Sequence, residues 1–500
     1  MRSSLWGKGA AVLATIAVAA ACSGGSDDAA GDGATPTRRV VTASTRARPD
    51  GPAARLTRIT TPGTPFLGEA TPPDLAAAGY VEEEYLASGT ATSYRPEGEL
   101  TPDGRWTFVP DGSAPYRTRV VVRRPAVAHD ASGTVLVEWL NVSGGVDANP
   151  DWGSLEEEIT RRGHVWVGVS AQRIGVIGGP LLVAVPAAEA AGVAGKGLVG
   201  IDPARYGTLD HPGDGFSFDI YTQVARAIDR KGIGLVRPRY LEAVGESQSA
   251  IALTTYYNGV QPLTRMFDGF FVHSRGGTTL PLVAPGEAAD LASSFGGVTP
   301  TFRTDGDAPV MDVQAEADVF GVLSSLAVRQ PDTNRFRLWE VAGSAHADED
   351  TLGPVTAELD CGVRINAAPM RVVTKAALRA LDRWVRTGQA PPKAPRIEVA
   401  DGKPARDADG IARGGVRTPP VDVPVDVLSG EPGPNPSIIC LLLGSTMPLP
   451  DARLAELYAS RADYARRYAR AVDETIEAGF ALEDDRDALL GYSQPERVRG

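Results

Sequence analysis

Short apolar runs alternate with helix-length segments through most of the chain. The apolar runs cover residues 134–140, 164–170, 240–244, 267–272, 309–314 and 335–341. The helix-length segments cover residues 152–162, 219–230 and 370–388. Apolar runs of this length are typical of strands that are buried on both faces of a parallel sheet. Strands that alternate with helices in this way predict an α/β fold, with a mostly parallel central sheet flanked by helices.

The pattern changes before and between these runs. Residues 56–116 hold short strand-like pieces among many prolines and glycines, which predicts an N-terminal β layer. Residues 119–123 place three valines between two arginines, and the run stops at Pro125, as an edge strand would. Residues 172–216 and 277–308 are irregular, and insertions of this kind at strand ends commonly form lids or pocket walls.

The first 55 residues carry a targeting pattern. Arg2 and Lys8 precede an uncharged apolar stretch that ends in small residues before Cys22. This predicts an export signal over residues 1–22, of the lipoprotein type in which Cys22 becomes the lipidated first residue and anchors the protein to a membrane. An ordinary signal peptide, cut near the same alanines to give a secreted protein, is the alternative. Residues 23–55 have no apolar period, so we expect a disordered tether.

Charge and composition narrow the classes of function. The net charge is −12, and no cluster of lysine and arginine provides the basic face that nucleic acid binding requires. The metal motifs H-E-x-x-H and C-x-x-C do not occur in the sequence, so neither a metal nor another cofactor is expected. We expect one domain over residues 56–450 that carries the two insertions, followed by a C-terminal helical segment over residues 451–500.

The run at residues 240–244 leads into a turn of small residues and then into a helical pattern. Gly245 and Ser249 stand two positions before and two positions after Ser247. A serine on a strand-turn-helix needs small neighbours at these positions, because the turn strains its backbone. The pattern therefore predicts a nucleophilic serine at Ser247, with Ser249 standing where a glycine is usual.

Two later runs supply candidate partners for this serine. The run at 309–314 leads to Glu316 and Asp318, and the run at 335–341 leads to His346. A serine hydroxyl is a weak nucleophile until an imidazole takes its proton, and a carboxylate must orient that imidazole. His346 is the only histidine in the sequence after Glu316 and Asp318, so it is the predicted base. Asp318 is the preferred acid, and Glu316 stays open as the alternative.

The run at residues 134–140 ends in a loop of small residues at 141–145. A buried strand that ends in such a loop before a helix is where a serine hydrolase places the first amide of its oxyanion hole. We predict that the backbone amides of Val142 and of Gln248, the residue after the serine, bind the oxyanion.

The order serine, acid, histidine, with each residue after a strand, resembles that of α/β-hydrolases. A closer resemblance is carried by residues 138–141 (EWLN), 245–249 (GESQS), 336–348 (FRLWEVAGSAHAD) and 361–366 (CGVRIN). Together these stretches resemble a poorly characterised group of bacterial secreted α/β-hydrolase domain proteins, over about residues 56–450. The resemblance implies the hydrolase fold and a serine triad, and it implies no substrate.

The three cysteines fit an exported protein. Lipidation of Cys22 would leave Cys361 and Cys440 as a pair that an oxidising compartment would allow to bridge. Two free, buried thiols are the alternative. Both cysteines lie in segments that resemble paired landmarks of the same hydrolase group, and this resemblance favours the bridge.

These residues predict an exported serine hydrolase, in first place a carboxylic ester hydrolase that acts on a small-molecule ester through an acyl-enzyme. Amide or peptide hydrolysis uses the same triad and stays open. A catalytically inactive, lipid-anchored binding protein on the same fold is the alternative from a different class. The presence of serine, acid and histidine in the right order favours the enzyme.

Overall fold

The structure, a computed structural model, describes residues 48–185, 188, 191–234, 236–292 and 297–499. The predicted export signal, the Cys22 lipidation site and residues 23–47 of the predicted tether lie outside the described residues. In the part of the chain that is described, no helix is both long enough and apolar enough to cross a membrane.

A nine-stranded sheet lies at the centre of the fold. Its strands are β1 (Arg55–Arg58), β2 (Tyr80–Pro96), β3 (Phe108–Pro125), β4 (Thr134–Trp139), β5 (Val165–Val169), β6 (Tyr240–Glu246), β7 (Gly269–His273), β8 (Val310–Ala315) and β9 (Phe336–Val341). Their order across the sheet is β1-β2-β3-β5-β4-β6-β7-β8-β9.

Strand direction divides the sheet into two parts. Neighbours from β5 to β9 pair in parallel, whereas β1, β2 and β3 extend the same sheet through antiparallel pairs. Each apolar run of the sequence forms one of the parallel strands, so the predicted α/β fold is confirmed. Because parallel strands end at the same edge of a sheet, the loops after β4, β6, β8 and β9 lie at one edge.

The prediction of an edge strand at residues 119–123 is wrong. This segment lies inside β3, which pairs with β2 on one side and with β5 on the other. Its two arginines are buried: Arg119 pairs with Asp147 at 2.6 Å. Arg123 pairs with Glu82 at 2.8 Å. Charged residues can thus belong to an interior strand when each charge has a partner that offsets the cost of its burial.

Helices cover both faces of the sheet. Alternate side chains of a strand point to opposite faces, and here they join two separate apolar clusters. The first cluster includes residues of helices Ser217–Lys231 and Gln248–Thr255. The second includes residues of helices Pro150–Arg162 and Met370–Thr387. The sheet is therefore buried on both faces, as its apolar strands require.

The other described α-helices are shorter or lie in the C-terminal part of the chain. They are Arg173–Ile177, Gly197–Ile201, Pro203–Tyr206, Gln261–Thr264, Glu316–Phe320, Glu349–Leu352, Pro419–Asp422, Ile438–Leu442, Asp451–Leu457, Arg461–Glu477 and Arg486–Gly491. The first three fall in the insertion predicted at 172–216. The described residues of 277–308 form neither helix nor strand.

The C-terminal part of the chain shares an apolar core with the loops around the sheet. It contains two hairpins, β10 (Val399–Ala400) with β11 (Lys403–Pro404) and β12 (Asp426–Ser429) with β13 (Ser445–Pro448). Helix Arg461–Glu477 buries Tyr464, Tyr468 and Val472 in the same cluster as Ala342, which directly follows β9.

A disulfide joins Cys361 to Cys440, with their Cα atoms 5.4 Å apart. Cys440 belongs to helix Ile438–Leu442. In that helix the Leu442 carbonyl accepts a hydrogen bond from the backbone N–H of His346 at 3.1 Å. The bridge therefore fastens a segment that supports the loop of the predicted base.

Alkylation of the unreduced, denatured protein should leave Cys361 and Cys440 unlabelled in a mass spectrum. The two cysteines are 79 positions apart, and for a loop of this length the chain-entropy model gives a stabilisation of about 4 kcal/mol. A double variant, Cys361→Ser with Cys440→Ser, should lose about that much free energy of unfolding in a urea titration. Labelling of both thiols without reduction would rule out the bridge, and the C-terminal part would then be held by packing alone.

Candidate active site

The serine turn joins β6 to helix Gln248–Thr255. Ser247 lies between them with φ 58° and ψ −120°, a conformation that residues other than glycine rarely adopt. Its backbone N–H donates to the His273 carbonyl at 2.9 Å, and its carbonyl accepts the Ile251 N–H at 3.0 Å. The neighbouring strand and the following helix therefore hold the serine in this conformation.

Space in the turn explains why Ser249 is tolerated where a glycine is usual. A Cβ atom on Gly245 would lie 3.1 Å from the Cβ of Ser249 and 2.9 Å from Cδ1 of Leu253, closer than such atoms normally pack. Because Gly245 has no Cβ, it leaves room for the hydroxymethyl group of Ser249. One glycine is enough to let the strand and the helix approach each other.

His346 and Asp318 lie beside the serine. His346 Nε2 is 2.9 Å from Ser247 Oγ, and His346 Nδ1 is 2.7 Å from Asp318 Oδ1. His346 lies in the loop after β9, and Asp318 lies in helix Glu316–Phe320, which follows β8. The other Asp318 oxygen accepts the Ala315 N–H at 2.6 Å, which fixes the carboxylate. The structure thus brings the predicted serine, base and preferred acid into one hydrogen-bonded row.

Glu316, the alternative acid, has a different set of partners. Its Oε2 accepts the Gly343 N–H at 2.8 Å. Its Oε1 accepts a hydrogen bond from Arg406 at 2.8 Å and another from the Gly430 N–H at 3.0 Å. The side chain is buried, so these charge-assisted bonds tie three separate loops together. Asp318, and not Glu316, is the carboxylate that the structure brings to the histidine.

Two carboxylates influence the charge of His346. Burial by itself lowers the pKa of His346, but the negative charges of Asp318 and Glu246 outweigh this effect and raise the pKa to about 9. Glu246 Oε1 lies 3.4 Å from His346 Nε2. Glu246 was not among the predicted site residues, although its place directly before the serine is a signal that it ends near the base.

One of the two predicted oxyanion amides, that of Val142, is already engaged. The Val142 N–H donates to Oε1 of the Gln248 side chain at 3.2 Å. That side chain donates in turn to Gln172 Oε1 at 2.6 Å, and Trp139 Nε1 donates to the same oxygen at 2.9 Å. An oxyanion would reach the Val142 amide only by displacing the Gln248 oxygen. The role of Gln172 was not predicted from the sequence, because it depends on a contact between distant loops.

The loop that carries Val142 is also fixed by hydrogen bonds within the loop and by contacts with β6 and β3. Asn141 Oδ1 accepts the N–H of Ser143 at 2.8 Å and its hydroxyl at 2.7 Å. Asn141 Nδ2 donates to the Glu246 carbonyl at 3.2 Å, which links this loop to the end of β6. Asp147, further along the loop, is fixed by Arg119 of β3 at 2.6 Å. These bonds keep the loop against the serine turn.

Another histidine at this edge of the sheet is paired with a carboxylate. His273 Nδ1 lies 3.1 Å from Asp151 Oδ1, and both side chains are buried. Within the described ranges, no group of three or more histidine, cysteine, aspartate or glutamate side chains is placed to hold a metal ion.

Several solved esterase structures are similar to this chain at low sequence identity. A fungal esterase from Rhizomucor miehei has 11% identity and a TM-score of 0.30, over 60% of this chain and 85% of that chain. Carboxyl esterase 2 from Tuber melanosporum has 12% identity and a TM-score of 0.28, over 58% and 87% of the two chains. A hyperthermophilic esterase from Pyrobaculum calidifontis has 12% identity and a TM-score of 0.24, over 51% and 74%. At these values the structures carry no argument about activity.

No curated protein sequence matches the chain. A family model described as alpha/beta hydrolase domain matches residues 47–491, which include the whole sheet and every residue of the serine, histidine and aspartate row. The chain therefore belongs to the alpha/beta hydrolase domain family.

Proposed function

We propose that this protein is a serine hydrolase that cleaves carboxylic esters, with Ser247 as nucleophile, His346 as base and Asp318 as the orienting acid. The observation that carries the proposal is the pair of contacts through one imidazole: 2.9 Å from Nε2 to the serine and 2.7 Å from Nδ1 to the aspartate. Both lie within the range that proton transfer and ring orientation require. Membership of the alpha/beta hydrolase domain family supports the same reaction class.

The proposed reaction has two halves. Ser247 Oγ attacks the ester carbonyl while His346 Nε2 takes the hydroxyl proton, and Asp318 stabilises the imidazolium that results. The imidazolium then gives this proton to the departing alcohol, which leaves an acyl group on Ser247. Water attacks the acyl group while His346 takes a proton from the water, and the imidazolium then returns this proton to Ser247 Oγ as the acid product leaves. The amides of Gln248 and Val142 are the proposed donors to the oxyanion, and that of Val142 becomes available only if the Gln248 side chain moves.

Ser247→Ala should lower ester turnover by a factor of about 10⁴ or more while leaving the fold intact, because only the nucleophilic oxygen is removed. The measurement is hydrolysis of chromogenic esters of increasing chain length, with matched anilides to compare amide cleavage, together with labelling by a fluorophosphonate. Ser249→Ala is the matched control: it removes a buried hydroxyl two residues away and should keep both turnover and labelling. Full activity in Ser247→Ala would reject the proposed nucleophile, and labelling without turnover of any ester would favour another acyl substrate.

Asp318→Asn should lower kcat by about 10⁴, because an amide at this place favours the wrong tautomer of His346. Glu316→Gln should change kcat little and should instead lower the free energy of unfolding by about 1.5–3 kcal/mol, since it weakens a charge-assisted bond to Arg406. Steady-state kinetics and denaturant titration of the two variants separate these effects. The opposite ranking of the two kcat values would make Glu316 the acid.

We also propose that the protein is exported and anchored through a lipid on Cys22, since small residues precede Cys22 and a polar tether follows it. The mature protein should partition into the detergent phase, and Cys22→Ser should move it to the aqueous phase because the acyl chains are lost. Ser26→Ala, in the same tether, should partition like the wild type. Detergent partitioning that survives Cys22→Ser would exclude the lipid anchor.

A further inference from the structure

A small chamber lies against His346. Its walls include Glu246, His273, Asp348 and Arg371, besides His346 itself. Glu246 enters it from the end of β6, directly before the nucleophile, and its side chain is 10% exposed. The chamber therefore places a second acidic side chain against the proposed base, outside the row formed with Asp318.

The two carboxylates approach opposite nitrogens of one ring. Asp318 takes Nδ1 at 2.7 Å, and Glu246 lies 3.4 Å from Nε2, the nitrogen that faces Ser247. Asp318 is fixed by a backbone amide, whereas Glu246 pairs with the ring at the distance of an ion pair. Nε2 is the atom that gains a proton in the proposed reaction, so a negative charge beside it acts where positive charge develops.

We propose that Glu246 is a positioning residue that acts through His346: it stabilises the protonated ring from the Nε2 side and so sets the pH range in which the hydrolase works. This inference rests on the proposed function, because it assigns a role to Glu246 in the reaction of Ser247 and His346. Glu246 needs no contact with the substrate, because its negative charge acts on the reaction by stabilising the protonated ring of His346.

The charge state of the pair follows from its surroundings. Burial raises the pKa of Glu246 to about 7, against the opposing effect of His346 and His273 when these are cationic. Burial lowers the pKa of His346, but Asp318 and then Glu246 raise it to about 9. Between these values Glu246 carries a negative charge and His346 a positive one. The ring therefore becomes free to accept the serine proton only as the pH rises toward 9.

Other ionisable groups line the chamber or contact its walls. Burial lowers the pKa of His273, so this ring is neutral. Burial raises the pKa of Asp151, the partner of His273, well above its ordinary range. Burial raises the pKa of Asp348 to about 6, so it is ionised throughout the interval. Arg371 adds a guanidinium to the same wall. Among these groups, Glu246 lies 3.4 Å from Nε2 of His346, so its charge acts directly on the base.

The test is the pH dependence of kcat/KM in Glu246→Gln. Removing the negative charge beside Nε2 should let His346 lose its proton at lower pH, so the acidic limb should move down by about one pH unit or more. The plateau value of kcat should fall about tenfold, because the imidazolium of the transition state loses one of its two carboxylates. Glu246→Asp, which retains the charge on a shorter side chain, should give a smaller shift and serves if the glutamine variant does not fold.

Glu242→Gln is the matched control. Glu242 lies on the same strand as Glu246, four residues earlier, and is buried, and burial raises its pKa well above the ordinary range. Its substitution removes a buried carboxyl from β6 at a distance from the ring and should leave the acidic limb in place. An equal shift in Glu242→Gln and Glu246→Gln would overturn the inference, as would a profile of Glu246→Gln that superimposes on that of the wild type.

A second readout separates this inference from the proposed function. NMR titration of His346 in Ser247→Ala, with and without Glu246→Gln, reports the charge of the ring without any turnover. A lower titration midpoint in the double variant supports the role of Glu246 even if no ester is cleaved, whereas an unchanged midpoint rejects it. A wild-type protein that is inactive on every ester and is not labelled by the phosphonate would reject the proposed function alone.

Discussion

The backbone conformation of Ser247 is the constraint on which the rest of the site depends. A residue other than glycine at φ 58° costs about 1–3 kcal/mol and persists only where its surroundings determine it. Here β6 and β7 hold one side through the His273 carbonyl, and the buried helix Gln248–Thr255 holds the other. Gly245 provides the space between them. Because β6 runs parallel to β8 and β9, the turn at Ser247 lies at the same edge of the sheet as the loops after those two strands.

The C-terminal part of the chain belongs to the support of this site. The backbone of His346 is held by the Leu442 carbonyl, in the helix that the disulfide fastens. Glu316 joins the loop after β9 to Arg406 and Gly430, both beyond the last strand of the main sheet. Interactions between buried charges and backbone amides are strong only when every partner is in place. The loop that carries His346 and the C-terminal part of the chain therefore stabilise each other's conformation.

The sequence predicted what local pattern and chain order determine. Each apolar run became a parallel strand, and Ser247, Asp318 and His346, chosen from the loops after three of those strands, meet in the structure. What it could not predict depends on contacts between distant side chains. The charges of Arg119 and Arg123 indicated an edge strand, because their carboxylate partners lie elsewhere in the chain. The contact of Gln172 with Gln248 also joins distant loops, so the sequence could not predict it. For the same reason the sequence could not decide between Asp318 and Glu316 as the acid, because their partners lie in other loops.

The charges around His346 also link the stability of the fold to pH. The fold raises the pKa of His346 from 6.5 to about 9, so its contribution to stability is complete below pH 6.5 and is lost as the pH rises through 9. The fold raises the pKa of Glu246 from 4.5 to about 7, so the folded state binds this proton more tightly, and that advantage is lost between these values. Both groups therefore weaken the fold as the pH rises, Glu246 from 4.5 to about 7 and His346 from 6.5 to about 9, where the proposed base becomes free. The disulfide beside the His346 loop does not titrate, so its stabilisation remains when the charge pair has lost its proton.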